Sequence, residues 1–171
     1  MLEWTTFPLT KPPPSAVADT MKVFEARHAE ISSLVPSTTV LTSNEVLAII
    51  RPDLVSLGFD VEGPKHRVEL PVLYGERGSW RRKQNADAWN HETGVVVEIE
   101  AGGARQDNRA LLDILKGCVW IHCQHLVVAV KREYHAARGA NDYAWLLDWV
   151  ELLYASDRLE LPMDSLTVVG Y

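Results

Sequence analysis

Cysteine is scarce. The 171 residues hold only Cys118 and Cys123, too few for a disulfide scaffold and in keeping with reduced cytosolic thiols. Long apolar runs are missing as well: nothing approaches the roughly 20 residues that cross a bilayer. The opening Met1-Leu-Glu-Trp-Thr-Thr lacks the charged and greasy segments of a signal peptide. These absences predict a soluble, cytoplasmic protein with no membrane association. There is no internal repeat, and the only low-complexity stretch is Pro12-Pro-Pro14. A glycine-rich phosphate loop is absent, since Gly102-Gly103 carries too little pattern to be more than a strand-to-helix turn. Positive charge is not in excess either. The net charge of −6 argues weakly against non-specific nucleic-acid binding, but a local basic rim together with bound cations can still hold a phosphate on an acidic protein.

What is present is a globular composition, 47% hydrophobic and 23% charged, and one unusual grouping of acids. Asp87, Glu98 and Glu100 lie in Gln84-Asn-Ala-Asp87-Ala-Trp-Asn-His-Glu-Thr-Gly94-Val-Val-Val-Glu98-Ile-Glu100. The β-branched run from Val95 to Glu100 predicts a strand, Ala86 to Asn90 its partner, and His91-Glu-Thr-Gly94 the turn between them. A turn centred on Glu92-Thr93 sets Trp89 opposite Val96, Ala88 opposite Val97 and Asp87 opposite Glu98. Side chains alternate along a strand, so Glu100 joins that face while Val95, Val97 and Ile99 point away. At ~5 Å, each like-charged pair repels by about 1–3 kcal/mol. A hard divalent cation relieves such repulsion, because Mg²⁺ takes oxygen ligands. The plainer alternative is acids on a solvated face, paired with arginines. A register slip of one residue would disperse the cluster.

The remaining pattern predicts a mixed α/β domain, helices covering a central sheet, in the order α-α-β-β-β-α-β-α-β. Residues 1–14 read as an arm outside the core, and residues 15–171 as a single domain. Ser15 is the expected N-cap of a helix reaching about Leu34, and Thr42-Ser-Asn-Glu45 a capping box opening a second. Pro52 is expected to kink or restart that helix, and Gly58 to cap its C-terminus. Arg67–Leu73 alternates as a strand, Gly75–Gly78 as a loop. A helix near Gln106–Lys116 follows, its apolar side formed by Leu111, Leu112, Ile114 and Leu115. Leu126–Val130 is a buried strand, Tyr143–Tyr154 a strongly apolar helix and Ser165–Val169 a short last strand.

An acid hairpin feeding through a turn into a helix resembles the restriction-endonuclease-like superfamily, the PD-(D/E)xK nucleases, from about Asn44 to Val130. Asp87 matches the first motif acid and Glu98 the second; Glu100 stands at the lysine position and Ala86 at the proline. Gln84-x-Ala-Asp87 and Asp113-x-x-Lys116 are similar to a Glu-x-Glu or Glu-x-Gln minority of type II restriction enzymes. The resemblance implies an α/β/α fold with a central mixed sheet, and a metal-dependent DNA endonuclease of restriction or defence type. Asp87 and Glu98 would hold Mg²⁺, for which Mn²⁺ can substitute, with the Ile99 carbonyl as a further ligand and Glu100 as metal ligand or proton acceptor.

With the motif lysine gone, another cation must face the phosphate. Lys83, four residues from Asp87 on an extended chain, is the first choice and Lys116 the second. Arg81 and Arg82 are candidates for DNA contact or for an ordinary solvated edge, and Arg105 and Arg109, at a helix start, for a neighbouring phosphate. Recognition would come from loops 74–83 and 131–142. Glu45 is a fourth acid or only a capping-box residue. Cys118, His122, Cys123 and His125 match no common zinc spacing and read as packing. The apolar band of helix 143–154 reads as core with room for a homodimer interface. The rival reading is a catalytically inactive nuclease-fold protein that binds nucleic acid or serves assembly.

Overall fold

Val95 to Glu100 forms the centre of the molecule in a computed structural model, which describes residues 1–105, 107–133, 141–156 and 158–171. The helices are α1 (Ser15–Ile31), α2 (Ser43–Ser56), α3 (Arg109–Val119) and α4 (Asp142–Ala155). The strands are β1 (Glu3–Phe7), β2 (Asp60–Val61), β3 (Val68–Tyr74), β4 (Trp80–Ala86), β5 (Ala88–Trp89), β6 (Val95–Glu100), β7 (His125–Val130) and β8 (Ser165–Gly170). Six strands make one mixed sheet in the order β1-β8-β7-β6-β5-β2, and β3 and β4 form a separate two-stranded ribbon. β6, β7 and β8 run parallel, with β5 and β1 antiparallel at the flanks.

Strand alternation divides the core in two. Val95, Val97, Ile99, Val127 and Ala129 pack beneath α1 and α2. Val96, Leu126, Val128 and Val130 pack against Ile114 of α3 and Leu146 and Val150 of α4. Both crossover helices of the parallel β6-β7-β8 unit therefore cover one face, as right-handed crossovers moving in one direction require. Glu98 and Glu100 share the Val96 face and so look toward α3.

The hairpin register follows the turn residues at Ala88 opposite Val97 and Trp89 opposite Val96, but the expected partner strand is shorter: Ala86 ends β4 in the other sheet, the chain bends at Asp87, and the expected Asp87–Glu98 strand pair is not formed. Asn90 builds the turn. Its Oδ1 accepts the amides of Glu92 and Thr93, each at 3.0 Å, and its Nδ2 donates to the Leu57 carbonyl at 2.9 Å. Gly94 has φ +67°, and a Cβ there would meet Gln124 Cγ at 2.8 Å, so both conformation and space call for glycine. The Thr42–Glu45 capping box closes as expected, and Gly58 follows α2 with φ +85°.

Several expectations are corrected. The arm is not outside the core: Glu3–Phe7 is an edge strand on β8, Phe7 is buried, and Thr6 Oγ1 meets Thr167 Oγ1 at 2.8 Å across the pair. The β-formers Trp4, Thr5, Thr6 and Phe7 explain this, and the prolines leave the sheet only after them. Ser15 begins α1 instead of capping it, with Pro14 at the cap, and α2 continues through Pro52 without restarting. The buried face of α3 is rotated from the expected one: Ile114 is buried and Leu111 packs half-buried on the core as expected, but Leu112 and Leu115 do not join them. Ala110, Asp113, Ile114 and Gly117 turn inward, whereas Leu112 and Leu115 are 56% and 59% exposed. Small residues set that choice, since a Cβ on Gly117 would meet Leu126 Cδ2 at 2.7 Å: the helix lies against β7 along its glycine edge.

Candidate active site

The chain between β4 and β5 bends at Asp87, and the bend places this acid beside the second half of β6. β5 is only two residues long, so beyond Val97 the β6 edge on that side has no strand partner among the described residues. The Asp87 side chain takes over there, its Oδ2 accepting the Ile99 amide at 2.7 Å. Glu98 is buried and Glu100 half-buried on the face toward α3. The end of β6 is pinned from two sides: Ser43 Oγ accepts the Ala101 amide at 3.0 Å, and the buried Tyr171 hydroxyl donates to the Glu100 carbonyl at 3.1 Å.

The inward face of α3 completes the cluster. Lys116 Nζ lies 3.1 Å from Glu98 Oε2 and 2.6 Å from Asp113 Oδ1, so one ammonium bridges two carboxylates. Among the described residues Glu98 Oε1 and Asp113 Oδ2 are buried without a hydrogen-bond partner. Four acids, Asp87, Glu98, Glu100 and Asp113, thus converge on a single lysine.

Their proton affinities record the crowding. Burial raises Asp87 to about 6 against the opposing pull of the Ile99 amide. Burial raises Glu100 to about 7, with the Asp113 charge adding to it. Glu98 is raised well above the ordinary carboxylate range by burial and next by the Asp87 charge, and Asp113 is raised by burial despite Lys116. Burial works against the Lys116 ammonium, but Glu98 and Asp113 outweigh it and its affinity is raised. A cluster of buried carboxylates with neutral-range titration is a mark of functional sites.

The sequence-derived candidates fall into two groups. Asp87, Glu98, Glu100 and Lys116 come together, with the Ile99 backbone at their centre. Arg109 begins α3, is exposed, stands 3.6 Å from Asp107, and its charge reaches Glu100 and Asp113. Lys83 does not join them. It belongs to the β3–β4 ribbon, pairs with Glu69 at 3.0 Å and lies 4.7 Å above the Trp80 ring. The bend at Asp87 breaks the extended spacing that would have put the two on one face. Arg81 and Arg82 are exposed on β4, and the charge of Arg105 acts on Asp142, not on the acids of β6. Of loop 131–142, residues 134–140 lie outside those described. Asp113, which enters the resemblance only with Lys116 and without a role, is a fourth acid of the site. Its signal was the spacing Ala110-x-x-Asp113-Ile114-x-x-Gly117, which sets a carboxylate into the apolar face of an otherwise amphipathic helix.

Glu45 closes its capping box, accepting the Thr42 amide at 2.8 Å. His122 stacks near Trp89 with ring centres 6.0 Å apart, and His125 Nδ1 lies 3.0 Å from Ser165 Oγ. Among the described residues no three His, Cys, Asp or Glu side chains stand ready to enclose a metal ion; in the acid cluster Lys116 lies between Glu98 and Asp113.

No protein-family model and no curated protein matches the chain. Among solved structures, it is similar to the restriction endonuclease BglII complexed with a DNA 16-mer, with a TM-score of 0.53 and 12% sequence identity, over 99% of this chain and 75% of that one. At that identity the likeness concerns the fold: this is a restriction-endonuclease-like α/β domain, a central mixed sheet flanked by four helices. Among the described residues no helix is long and apolar enough to cross a membrane.

Proposed function

We propose that this restriction-endonuclease-like chain is a cytoplasmic, divalent-metal-dependent DNA endonuclease of restriction or defence type, carrying a Glu-x-Glu variant of the PD-(D/E)xK motif. The observation that carries the reading is the charge imbalance at β6: four converging carboxylates, one lysine, and two buried carboxylate oxygens without partners. Lys116 is engaged by Glu98 and Asp113, and among the described residues neither Asp87 nor Glu100 makes an ion pair, Arg109 acting on Glu100 only through its charge. The donor set is all oxygen, the chemistry a hard divalent ion takes, and Asp87, Glu98 and the Ile99 carbonyl would supply it with two side chains and one backbone group, Lys116 standing on the other side of Glu98. The solved neighbour, a restriction endonuclease bound to DNA, supports the same direction.

Asp87 and Glu98 would hold Mg²⁺ or Mn²⁺, with the Ile99 carbonyl as a further donor; Ile99 already turns its amide to Asp87, and the N–H and C=O of a strand residue share an edge. When bound, such an ion supplies Lewis-acid stabilisation of charge on the phosphate and activates water. The chain's own groups do the rest. Glu100, raised to about 7, accepts the proton of the attacking water, since a base works best with its pKa near the operating pH. Lys116, in place of the missing motif lysine, turns from Glu98 to the phosphate while Asp113 keeps hold of it. Arg109 at the start of α3 serves a neighbouring phosphate, helped by the amide dipoles of the helix N-terminus.

The test is Mg²⁺- or Mn²⁺-dependent cleavage of plasmid DNA. Asp87→Ala and Glu98→Ala are each expected to reduce it by roughly 10²-fold or more, the loss typical when a group stabilising transition-state charge is removed. One observation favours a second reading, an inactive nucleic-acid-binding or assembly module: Lys116 itself occupies the space between Glu98 and Asp113. A wild-type chain that retards DNA in a gel yet cuts nothing with either metal establishes that alternative.

We further propose that the chain pairs as a homodimer through α4, whose Trp149 and Leu152 are 43% and 61% exposed, on the face where α3 leaves Leu112 and Leu115 uncovered. Light scattering is expected to give twice the 19.2 kDa chain mass, reverting to one chain in Trp149→Glu/Leu152→Glu. A wild type that is monomeric at high concentration removes this proposal.

A further inference from the structure

The β3–β4 ribbon stands apart from the main sheet, and its two halves differ in character. Near its base, Val68, Leu70, Pro71 and Ala86 are buried. From Leu73 outward every residue to Lys83 is exposed except half-buried Gly75. Two contacts tether the ribbon midway, the Ile121 amide donating to the Pro71 carbonyl at 3.2 Å and the Tyr74 hydroxyl meeting His122 Nε2 at 3.2 Å. Beyond them the ribbon projects freely, with a bulge around Val72 and Leu73 and a tip in which Arg77 adopts φ 56°.

The charge of the projecting part runs against that of the protein. Residues 74–83 hold Arg77, Arg81, Arg82 and Lys83 against the single acid Glu76, on a chain of net charge −6. Lys83 is engaged by Glu69, whereas Arg77, Arg81 and Arg82 make no ion pair among the described residues. Exposed Tyr74 and Trp80 lie opposite each other in the register, 46% and 47% accessible. Three guanidinium groups without an ion pair among the described residues, and two half-exposed aromatics, Trp80 beneath Lys83 and Tyr74 beside His122, on a narrow strand pair suit a polyanion that also offers apolar surface.

We propose that the distal half of this ribbon, Leu73 to Lys83, enters the major groove of B-form DNA and reads it, an inference that rests on the nuclease reading above. The dimensions agree. Strands ~4.8 Å apart, with their side chains, fit a groove ~12 Å wide that is known to admit a two-stranded ribbon. The deep, narrow major groove of A-form RNA does not admit side chains in this way. Arg77, Arg81 and Arg82 present planar forks to guanine edges and phosphates, and Tyr74 and Trp80 meet thymine methyl groups. The ribbon also fixes where it reads. Asp87 directly follows β4, so the tip lies roughly 25 Å along the ribbon from the acid, about seven base pairs of duplex at ~3.4 Å each.

The experiment compares binding of the whole protein, in Ca²⁺, to two fluorescent duplexes of one mixed sequence. In the second, every cytosine carries a glucosylated hydroxymethyl group that fills the major groove. Wild type is expected to bind the blocked duplex about tenfold or more weakly, the scale of losing one bidentate base contact. Arg77→Ala/Arg81→Ala/Arg82→Ala should bind both duplexes weakly and alike. The triple arginine-to-lysine variant should keep salt-dependent affinity but lose the discrimination. None of the three arginines is buried, so unchanged thermal melting is expected of both variants. Equal wild-type binding to the two duplexes, or undiminished discrimination in the alanine variant, overturns the ribbon's role. If that wild type still cuts plasmid, only the ribbon proposal falls; if it neither binds nor cuts, the nuclease reading falls with it.

Discussion

Asp87→Asn is expected to make the metal-free protein more stable at pH 8 while abolishing DNA cleavage. The Asp87 carboxyl is raised from 3.8 to about 6, chiefly by burial. A carboxyl with a higher pKa in the folded state binds its proton more tightly there than in the unfolded chain. The stability it contributes is therefore complete below about pH 4 and is lost as pH rises through about 6. Above that, the fold carries a buried charge that asparagine lacks. The shift of about two pH units corresponds to about 3 kcal/mol at most, or roughly 6–12 °C in Tm for a domain of this size. Asparagine retains an oxygen to accept the Ile99 amide, so the hairpin geometry is preserved. Melting in EDTA from pH 4 to 8 checks this: the wild-type curve should fall relative to the variant, most steeply between pH 4 and 6.5. A variant that melts below wild type at pH 8 would show that Asp87 stabilises the fold as an anion and would remove the reason to expect a cation beside it.

That conflict between stability and charge was legible before any coordinates, because strand alternation and a turn fix which side chains meet. Asp87, Glu98 and Glu100 could be grouped from Val95-Val-Val-Glu-Ile-Glu100 and the Asn90–Gly94 turn alone, and the observed pairs Ala88–Val97 and Trp89–Val96 follow that register. The capping box at Thr42 and Glu45 was equally local. What failed depended on tertiary choices. Lys83 seemed the natural cation because counting along an unbroken strand puts it with Asp87; the bend after Ala86 sends β4 into a different sheet. Of the apolar residues of α3, Ile114 and Leu111 do meet the core, but Leu112 and Leu115 face outward because the close approach that Ala110 and Gly117 permit rotates the helix onto its small residues. Choosing the face by small residues would have turned Asp113 and Lys116 inward together. Glu3–Phe7 was set aside with the proline run behind it, although its own residues are good strand formers and only the partner, β8, is far away in sequence.

The same exchange of cations gives the largest effect expected of any single substitution here. Among the described residues Lys116 is the one ammonium at the four acids, bridging Glu98 and Asp113 at 3.1 and 2.6 Å with its side chain only 23% exposed. Lys116→Met keeps the length and removes the charge, leaving two buried carboxylates without compensation. Breaking a buried ion pair from one side costs about 3–5 kcal/mol, part of it recovered as Glu98 and Asp113 take up protons. In EDTA at pH 8 the variant should therefore melt well below wild type and regain stability on acidification. Asp113→Asn in the same chain should restore part of the loss, because it removes one of the stranded charges. Mg²⁺ should restore more, since an ion bound at Asp87 and Glu98 replaces the missing positive charge and stabilises the folded state by mass action. Cleavage should remain depressed by about 10²–10³-fold even at saturating metal, the loss expected when a preorganised charge facing the phosphate is removed. A purely structural lysine predicts otherwise: once metal restores the fold, cutting would return to the wild-type rate. That result would assign the phosphate-facing role to another cation, with Arg109 the first to examine.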